Sequence, residues 1–163
     1  MQQNSQTSVL FVCMGNICRS PTAHGVMQEM VNRQGLQKQL KIESAGTHAY
    51  HVGEKSDGRS RAMASSKGID MEYIRAQKIS VHDYDEYDYI LAMDADNLEL
   101  INYYAPENYS ARIALFLSFA NAADMTDRIE VPDPYYGGDD GFEQVFQLVT
   151  IGCQALLTAI NNR

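Results

Sequence analysis

The chain has 163 residues, 45% of them hydrophobic, which suits one domain around one packed core. Thirteen Lys and Arg stand against 21 Asp and Glu, a net charge of −8, so a general nucleic-acid surface is excluded and any anionic ligand must be held locally against an unfavourable field. Three cysteines, with no Cys-x-x-Cys and no His-Glu-x-x-His, argue against a secreted disulfide framework and against a zinc site, so no metal and no cofactor is expected.

Residues 1–8, MQQNSQTS, are polar and lack the apolar stretch of a signal peptide, so they are expected to form a flexible tail ahead of a single domain over 9–163. No uninterrupted apolar run approaches the roughly 18 residues of a membrane span. The expectation is a soluble, cytoplasmic chain with no membrane partner. Val9 to Val12 is a continuous β-type run, as in a strand buried on both faces, and it ends at Cys13. Ser20-Pro21 then reads as the N-cap and first position of a helix whose apolar stripe is Val26, Met27, Met30 and Val31.

Lys41 to Ser44 is a short strand candidate, and Asp57 to Lys67 looks helical with Gly68 as its stop. Tyr89 to Met93 is another buried strand, followed by Asp94 as a helix N-cap and helical spacing from Asn97 to Tyr104. Ile113 to Phe119 begins as a fourth strand, and Pro132 to Gly141 is rich in turn residues. Phe142, Val145, Phe146, Val149, Cys153, Leu156 and Ile160 follow a helical period, which makes Cys153 a core residue. Alternating strands and helices imply an α/β fold, with a parallel sheet covered by helices on both faces and ligands beyond the carboxyl ends of its strands.

The segment with most chemistry is Cys13-Met-Gly-Asn-Ile-Cys-Arg19, a short loop between that first strand and the helix. Gly15 and Asn16 are residue types that tolerate positive φ, so the loop can curl and aim its N–H groups at one anion. Arg19 adds a forked, permanently charged donor suited to two phosphate oxygens, and a thiolate on Cys13 would lie beneath them. Competing with this are an inert core cysteine and an arginine that makes only a surface ion pair. The second disfavours itself, since a cation at a helix start is unfavourable unless an anion is bound there. Asp133, between Pro132 and Pro134, sits on a stiffened turn beside Tyr135 and Tyr136, an exposed aromatic pair that suggests recognition of an aromatic ring.

Taken together, Cys13-Met-Gly-Asn-Ile-Cys-Arg-Ser-Pro21, Ser44-Ala-Gly-Thr47, Tyr89-Ile-Leu-Ala-Met-Asp94 and Asp133-Pro-Tyr-Tyr-Gly137 resemble, in order and over nearly the whole chain, the low-molecular-weight protein tyrosine phosphatases. The resemblance implies a flavodoxin-like fold with a four-stranded parallel sheet. It implies metal-independent hydrolysis of phosphotyrosine in proteins, or of small aryl phosphates, through a phosphocysteine. By it, Cys13 is the nucleophile, Arg19 grips the phosphate and Asp133 is the general acid. Met14, Gly15, Asn16, Ile17 and Cys18 complete the phosphate loop, Asn16 and Ser20 support it, and Cys18 is the second cysteine; separately from the resemblance, its place five residues after Cys13 in a curled loop makes it a resolving thiol for an oxidised Cys13, against a plain role of packing behind the loop. Tyr50, Tyr135 and Tyr136 wall the cleft. One departure stands out: where many members carry His-x-Ala-Arg, with the histidine helping to hold the loop, this chain has Ile74-Arg-Ala-Gln77. Two other activities are weighed: a thiol-dependent arsenate reductase, which needs resolving cysteines this chain lacks between Arg19 and Asn121, and a non-catalytic phosphotyrosine-binding module, which could dispense with Cys13 or Asp133.

Overall fold

The computed structural model describes residues 6–136 and 138–163, with Tyr136 and Asp139 described by their backbone. The strands are β1 (Thr7–Cys13), β2 (Leu40–Gly46), β3 (Tyr89–Ala92) and β4 (Arg112–Leu115). The helices are α1 (Arg19–Arg33), α2 (Gly58–Ser66), α3 (Asp83–Glu86), α4 (Ala95–Tyr104), α5 (Ser118–Ala122) and α6 (Gly141–Asn161), and two 3₁₀ turns, Pro134–Tyr136 and Gly138–Asp140, precede α6. All strand pairs are parallel, in the order β2-β1-β3-β4. The chain therefore leaves β1 for one side of the sheet and returns to β3 on the other. This reversal opens a crevice at the carboxyl ends of β1 and β3, where doubly wound folds bind ligands.

β1 is buried because its two faces feed two cores. Val9, Phe11 and Cys13 face the layer of α1 and α6, with Met27, Val149 and Leu156, while Leu10 and Val12 face Tyr84, Ile90 and Ile101 on the other side. Phe11 meets Phe116 edge to face at 5.1 Å between ring centroids. Gly152 makes that packing possible, since a Cβ there would lie 2.5 Å from the Phe116 ring. α6 is the one described helix long and apolar enough to cross a membrane, but it packs on α1, α2 and α5.

Among the boundaries that differ from the sequence expectation, three bear on the sheet and the site, while β2 runs longer than 41–44, β3 ends at Ala92 and α4 starts at Ala95. β1 starts at Thr7, so Thr7 and Ser8 belong to the sheet rather than to a tail: Thr7 N–H donates to the Gln39 carbonyl at 2.8 Å and Ser8 N–H to Asp88 at 2.8 Å. Residues 1–5 lie outside the described residues. α1 begins at Arg19 with Cys18 as its N-cap, so Ser20 and Pro21 are already in the first turn, where proline is tolerated and the serine hydroxyl is free for another task. The fourth strand ends at Leu115, and residues 118–122 form α5 instead of extending it. α3 and α5, of four and five residues, are too short to show a period in sequence.

His24 is buried in α1, its Nδ1 2.9 Å from Ser44 Oγ and its ring edge-to-face with Tyr73. Burial pushes it down to about 4. The unfolded chain, with an ordinary histidine near 6.5, binds the extra proton between these values, so stability falls as pH drops through that window. Urea unfolding at pH 7 and pH 5 should show the wild type losing about 2 kcal/mol more than His24→Gln, from roughly 1.36 kcal/mol per pH unit. Equal losses would mean that His24 titrates normally in the fold.

Candidate active site

Between β1 and α1 the chain curls on Asn16, whose φ of +57° is left-handed. Its side chain, 0% exposed, holds the curl at both ends: Nδ2 donates to Ser20 Oγ at 2.8 Å, and Oδ1 accepts the Gln77 main-chain N–H at 2.9 Å. This is how the chain manages with Ile74-Arg-Ala-Gln77. Ile74 is buried in the core, and a main-chain donor from Gln77 secures Asn16. Gly46, at the end of β2, lets the loop lie close, because a Cβ there would come within 2.7 Å of the Met14 carbonyl.

Four of the loop carbonyls are claimed by residues outside the loop. Cys13 O accepts from Thr47 N–H, Met14 O from His48 N–H, Ile17 O from Asp57 N–H and Cys18 O from Thr22 N–H, at 2.8–3.2 Å. Among the described residues no protein acceptor takes the main-chain N–H of Met14, Gly15, Asn16, Ile17 or Cys18. Carbonyls tied back and N–H groups left open, at the start of a helix, make a cradle for an anion.

Cys13 Sγ lies at the base of this loop, 3.0 Å from Ser20 Oγ. Ser20 Oγ accepts from Asn16, so its own proton is left for the two acceptors it faces, the Cys13 sulfur and the Ala45 carbonyl at 3.3 Å. The Arg19 guanidinium is nearly buried and is gripped from behind by Asp94 Oδ2 and the Val131 carbonyl, the latter at 3.1 Å. Burial opposes its charge, but Cys13, the Asp94 bond and the Asp94 and Asp133 carboxylates outweigh that and raise its ionisation above the ordinary arginine value. Asp94 thus serves twice. It caps α4 through Oδ1, accepting Asn97 N–H at 2.8 Å, as its position after a buried strand predicts, and it also orients Arg19, which that position does not reveal.

Across the crevice, the segment carrying Asp133 is fastened to the ends of β3 and α4. Val131 N–H donates to the Met93 carbonyl at 2.8 Å, and Ala95 N–H donates to the Glu130 carboxylate at 2.7 Å. Asp133 Oδ1 accepts the Tyr135 N–H at 3.0 Å, which orients the carboxyl within its turn. Cys13, Met14, Gly15, Ile17, Cys18, Arg19, His51, Asp133 and Tyr135 line one cavity of about 60 Å³. A groove of about 610 Å³ on α2 is far larger, but its lining from Gly58 to Glu72 contains neither the thiol nor the anion cradle. The reactive groups converge on the small cavity.

Tyr50 does not line that cavity. It is 73% exposed and stacks on His48, and the neighbouring His51, held by Glu54, takes the place at the mouth. The Tyr136 side chain lies outside the described residues. Sequence reasoning missed His51 and also Asp57. The Asp57 carboxylate accepts the Tyr135 hydroxyl at 3.1 Å; burial pushes it up, but hydrogen bonds from Arg59 and Tyr135 hold it below the usual range. The sequence placed Asp57 only at the start of the helical stretch 57–67, and the structure makes it the N-cap of α2. Cys18 is buried, and burial together with the Asp57 charge pushes its thiol up to about 12.

A curled anion loop with a cysteine at its base, at the switch point of a four-stranded parallel sheet, is the arrangement of a phosphate-ester hydrolase. Residues 8–163 match the family model described as low molecular weight phosphotyrosine protein phosphatase. The low molecular weight protein-tyrosine-phosphatase YfkJ of Bacillus subtilis is 38% identical, covering 94% of this chain and 95% of its own, and its crystal structure superposes with a TM-score of 0.89 over 97% and 96% of the two chains. The low molecular weight phosphotyrosine protein phosphatases of Schizosaccharomyces pombe and Homo sapiens are 43% and 36% identical, covering 91% and 96% of this chain and 93% and 98% of theirs. The chain belongs to the low molecular weight phosphotyrosine protein phosphatase family, and it is an enzyme.

The double duty of Asp94 can be separated, because asparagine caps a helix as well as aspartate does. Asp94→Asn should keep the cap, so its loss of unfolding stability, up to about 3–5 kcal/mol, comes from the buried Arg19 charge left without its partner. Affinity for inorganic phosphate or vanadate should fall by about tenfold, since Arg19 loses its charged anchor. Calorimetric titration beside urea unfolding checks both, and unchanged oxyanion affinity would show that Arg19 is held without Asp94.

Proposed function

We propose that this enzyme hydrolyses phosphotyrosine in proteins, and small aryl phosphates, through a phosphocysteine on Cys13, without a metal. The observation that carries this reading is the set of open loop N–H groups and Arg19 around the Cys13 sulfur, with the Asp133 carboxyl in the same cavity. The Cys13 thiolate attacks phosphorus in line, and the S–P bond forms as the P–O bond to the phenol breaks. The loop N–H groups and Arg19 take up the charge on the equatorial oxygens. Asp133 delivers its proton to the departing phenolate, whose conjugate acid has a pKa of roughly 10, and then accepts a proton from the water that cleaves the S–P bond. Tyr135 supplies an aromatic wall. Depth selects the substrate: a phosphate on a phenol ring reaches the cavity floor, whereas one on a serine stem is too short.

The arsenate reductase reading is disfavoured because its resolving thiols are wanting. Beyond the phosphate loop the chain has only Cys153, which is in the core. A non-catalytic binding module would not need the acid beside the nucleophile. Three free thiols fit a reducing compartment, which supports a cytoplasmic location.

Cys13→Ser should abolish turnover of phosphotyrosine peptides and keep vanadate binding, because the cradle and Arg19 remain. Asp133→Ala should slow phosphotyrosine turnover by roughly 10²–10⁴-fold and esters of acidic phenols much less. A loss that is equal across leaving groups would remove Asp133 from the role of acid, and comparable turnover of phosphoserine peptides would contradict the depth argument.

We also propose that Cys18 protects Cys13 under oxidation. Peroxide converts the Cys13 thiolate to a sulfenic acid and leaves as hydroxide; the Cys18 thiol then loses its proton, its sulfur forms the S–S bond as the Cys13 S–O bond breaks, and the departing hydroxide takes that proton to leave as water. The depressed ionisation of Cys18 makes this step slow at neutral pH and faster as pH rises. After peroxide and then a dithiol, the wild type should recover most activity and Cys18→Ser much less. A peptide map of the oxidised enzyme without a Cys13–Cys18 link would end this idea.

A further inference from the structure

Arg59 lies outside the cavity lining, yet the turn that follows Asp133 is built around it. Its main-chain N–H donates to Asp57 Oδ1 at 2.8 Å, and its side chain returns to the same carboxylate through Nε and a terminal nitrogen, each at 3.1 Å. So oriented, the guanidinium carbon stands 4.8 Å from the Tyr135 ring centroid and 4.6 Å from that of Phe142. Both distances are within cation–π range. Tyr135 lies two residues after Asp133, and Phe142 is in the first turn of α6, so the two rings bracket the end of the acid turn and the start of the final helix.

Asp57 closes the arrangement. Its N–H donates to the Ile17 carbonyl of the phosphate loop at 2.8 Å, and its carboxylate accepts the Tyr135 hydroxyl at 3.1 Å. On the inner side, the turn rests on the helix start, where a Cβ at Gly141 would meet the Pro134 carbonyl at 2.8 Å. The segment bearing the carboxyl is thus tied to the segment bearing the nucleophile through one aspartate and one stacked arginine.

We propose that Arg59 is a positioning residue for Asp133, clamping the acid turn against the phosphate loop by stacking between Tyr135 and Phe142 while Asp57 fixes its guanidinium. A planar fork is needed, since one group must pair with a carboxylate along its edge and lie against rings on its faces. Lysine offers the charge without that geometry. A small displacement of a general acid costs rate in proportion to how much the leaving group needs its proton.

This inference rests on the reading of Asp133 as the acid, and the test separates the two. Arg59→Met, Arg59→Lys and Phe142→Leu are compared with Asp133→Ala on an ester of a basic phenol and an ester of an acidic phenol. For Arg59→Met, kcat/KM on the basic phenol ester should fall about tenfold, with a change under about twofold on the acidic one. Arg59→Lys should recover only part of the loss, and Phe142→Leu should repeat the pattern more mildly. In an Asp133→Ala background, Arg59→Met should add nothing, because the group it positions is gone. If Asp133→Ala discriminates between leaving groups and Arg59→Met does not, the clamp is wrong and the acid stands. If Asp133→Ala shows no discrimination, the acid reading itself fails. Equal losses on both esters in Arg59→Met, or an undiminished loss in the Asp133→Ala background, would overturn the proposal.

Discussion

The site depends on one residue held where most side chains would not stay. A non-glycine residue in the left-handed region costs roughly 1–2 kcal/mol, and Asn16 is kept there by hydrogen bonds at both ends of its buried amide. Everything in the loop follows from that curl. Four of its carbonyls are claimed by neighbours, and among the described residues its N–H groups are left without a protein acceptor. It also brings Ser20, from the first turn of α1, to the Cys13 sulfur. The same amide that bends the backbone thereby orients the hydroxyl facing the nucleophile.

A chain with a net charge of −8 attracts anions poorly, so the affinity for one must be local. Here it is made from dipoles and a single arginine fixed in place. Arg19 is backed by Asp94 and the Val131 carbonyl, both bound through Nη1, while its side chain lines the cavity. The arrangement joins the start of α1, the cap of α4 and the acid segment through one guanidinium. Whatever moves Val131 also bears on Arg19.

The acid side is built more lightly. Main-chain bonds hold Val131 to Met93, but beyond Asp133 the tethers are side-chain contacts at the surface, with Tyr135 on Asp57 and the rings on Arg59. Contacts of this kind are individually weak, about 0.5–1 kcal/mol for an exposed cation–π pair. A rigid phosphate loop facing a lightly clamped acid suits a reaction in which one residue must first give a proton and later take one, while product leaves by the same opening.

Much of this was legible before any coordinates. The buried strand ending in Cys13, the Cys-x5-Arg loop with Gly15 and Asn16, the period of α6 and the alternation of strands and helices all follow from apolar spacing and from φ preferences, which are local properties of the chain. Short elements and boundaries were not: α3 and α5 have too few residues for a period, and Ser20 reads as a cap when its hydroxyl instead serves the sulfur. Tertiary structure alone decided that Asp94 grips Arg19 across 75 residues, that the Gln77 main-chain N–H supports Asn16, and that His51 rather than Tyr50 lines the cavity. Those pairings depend on which strand ends lie side by side and which way one loop turns. Such long-range choices leave no periodic trace, because any carboxylate, any open N–H or any exposed ring satisfies the local rules equally well.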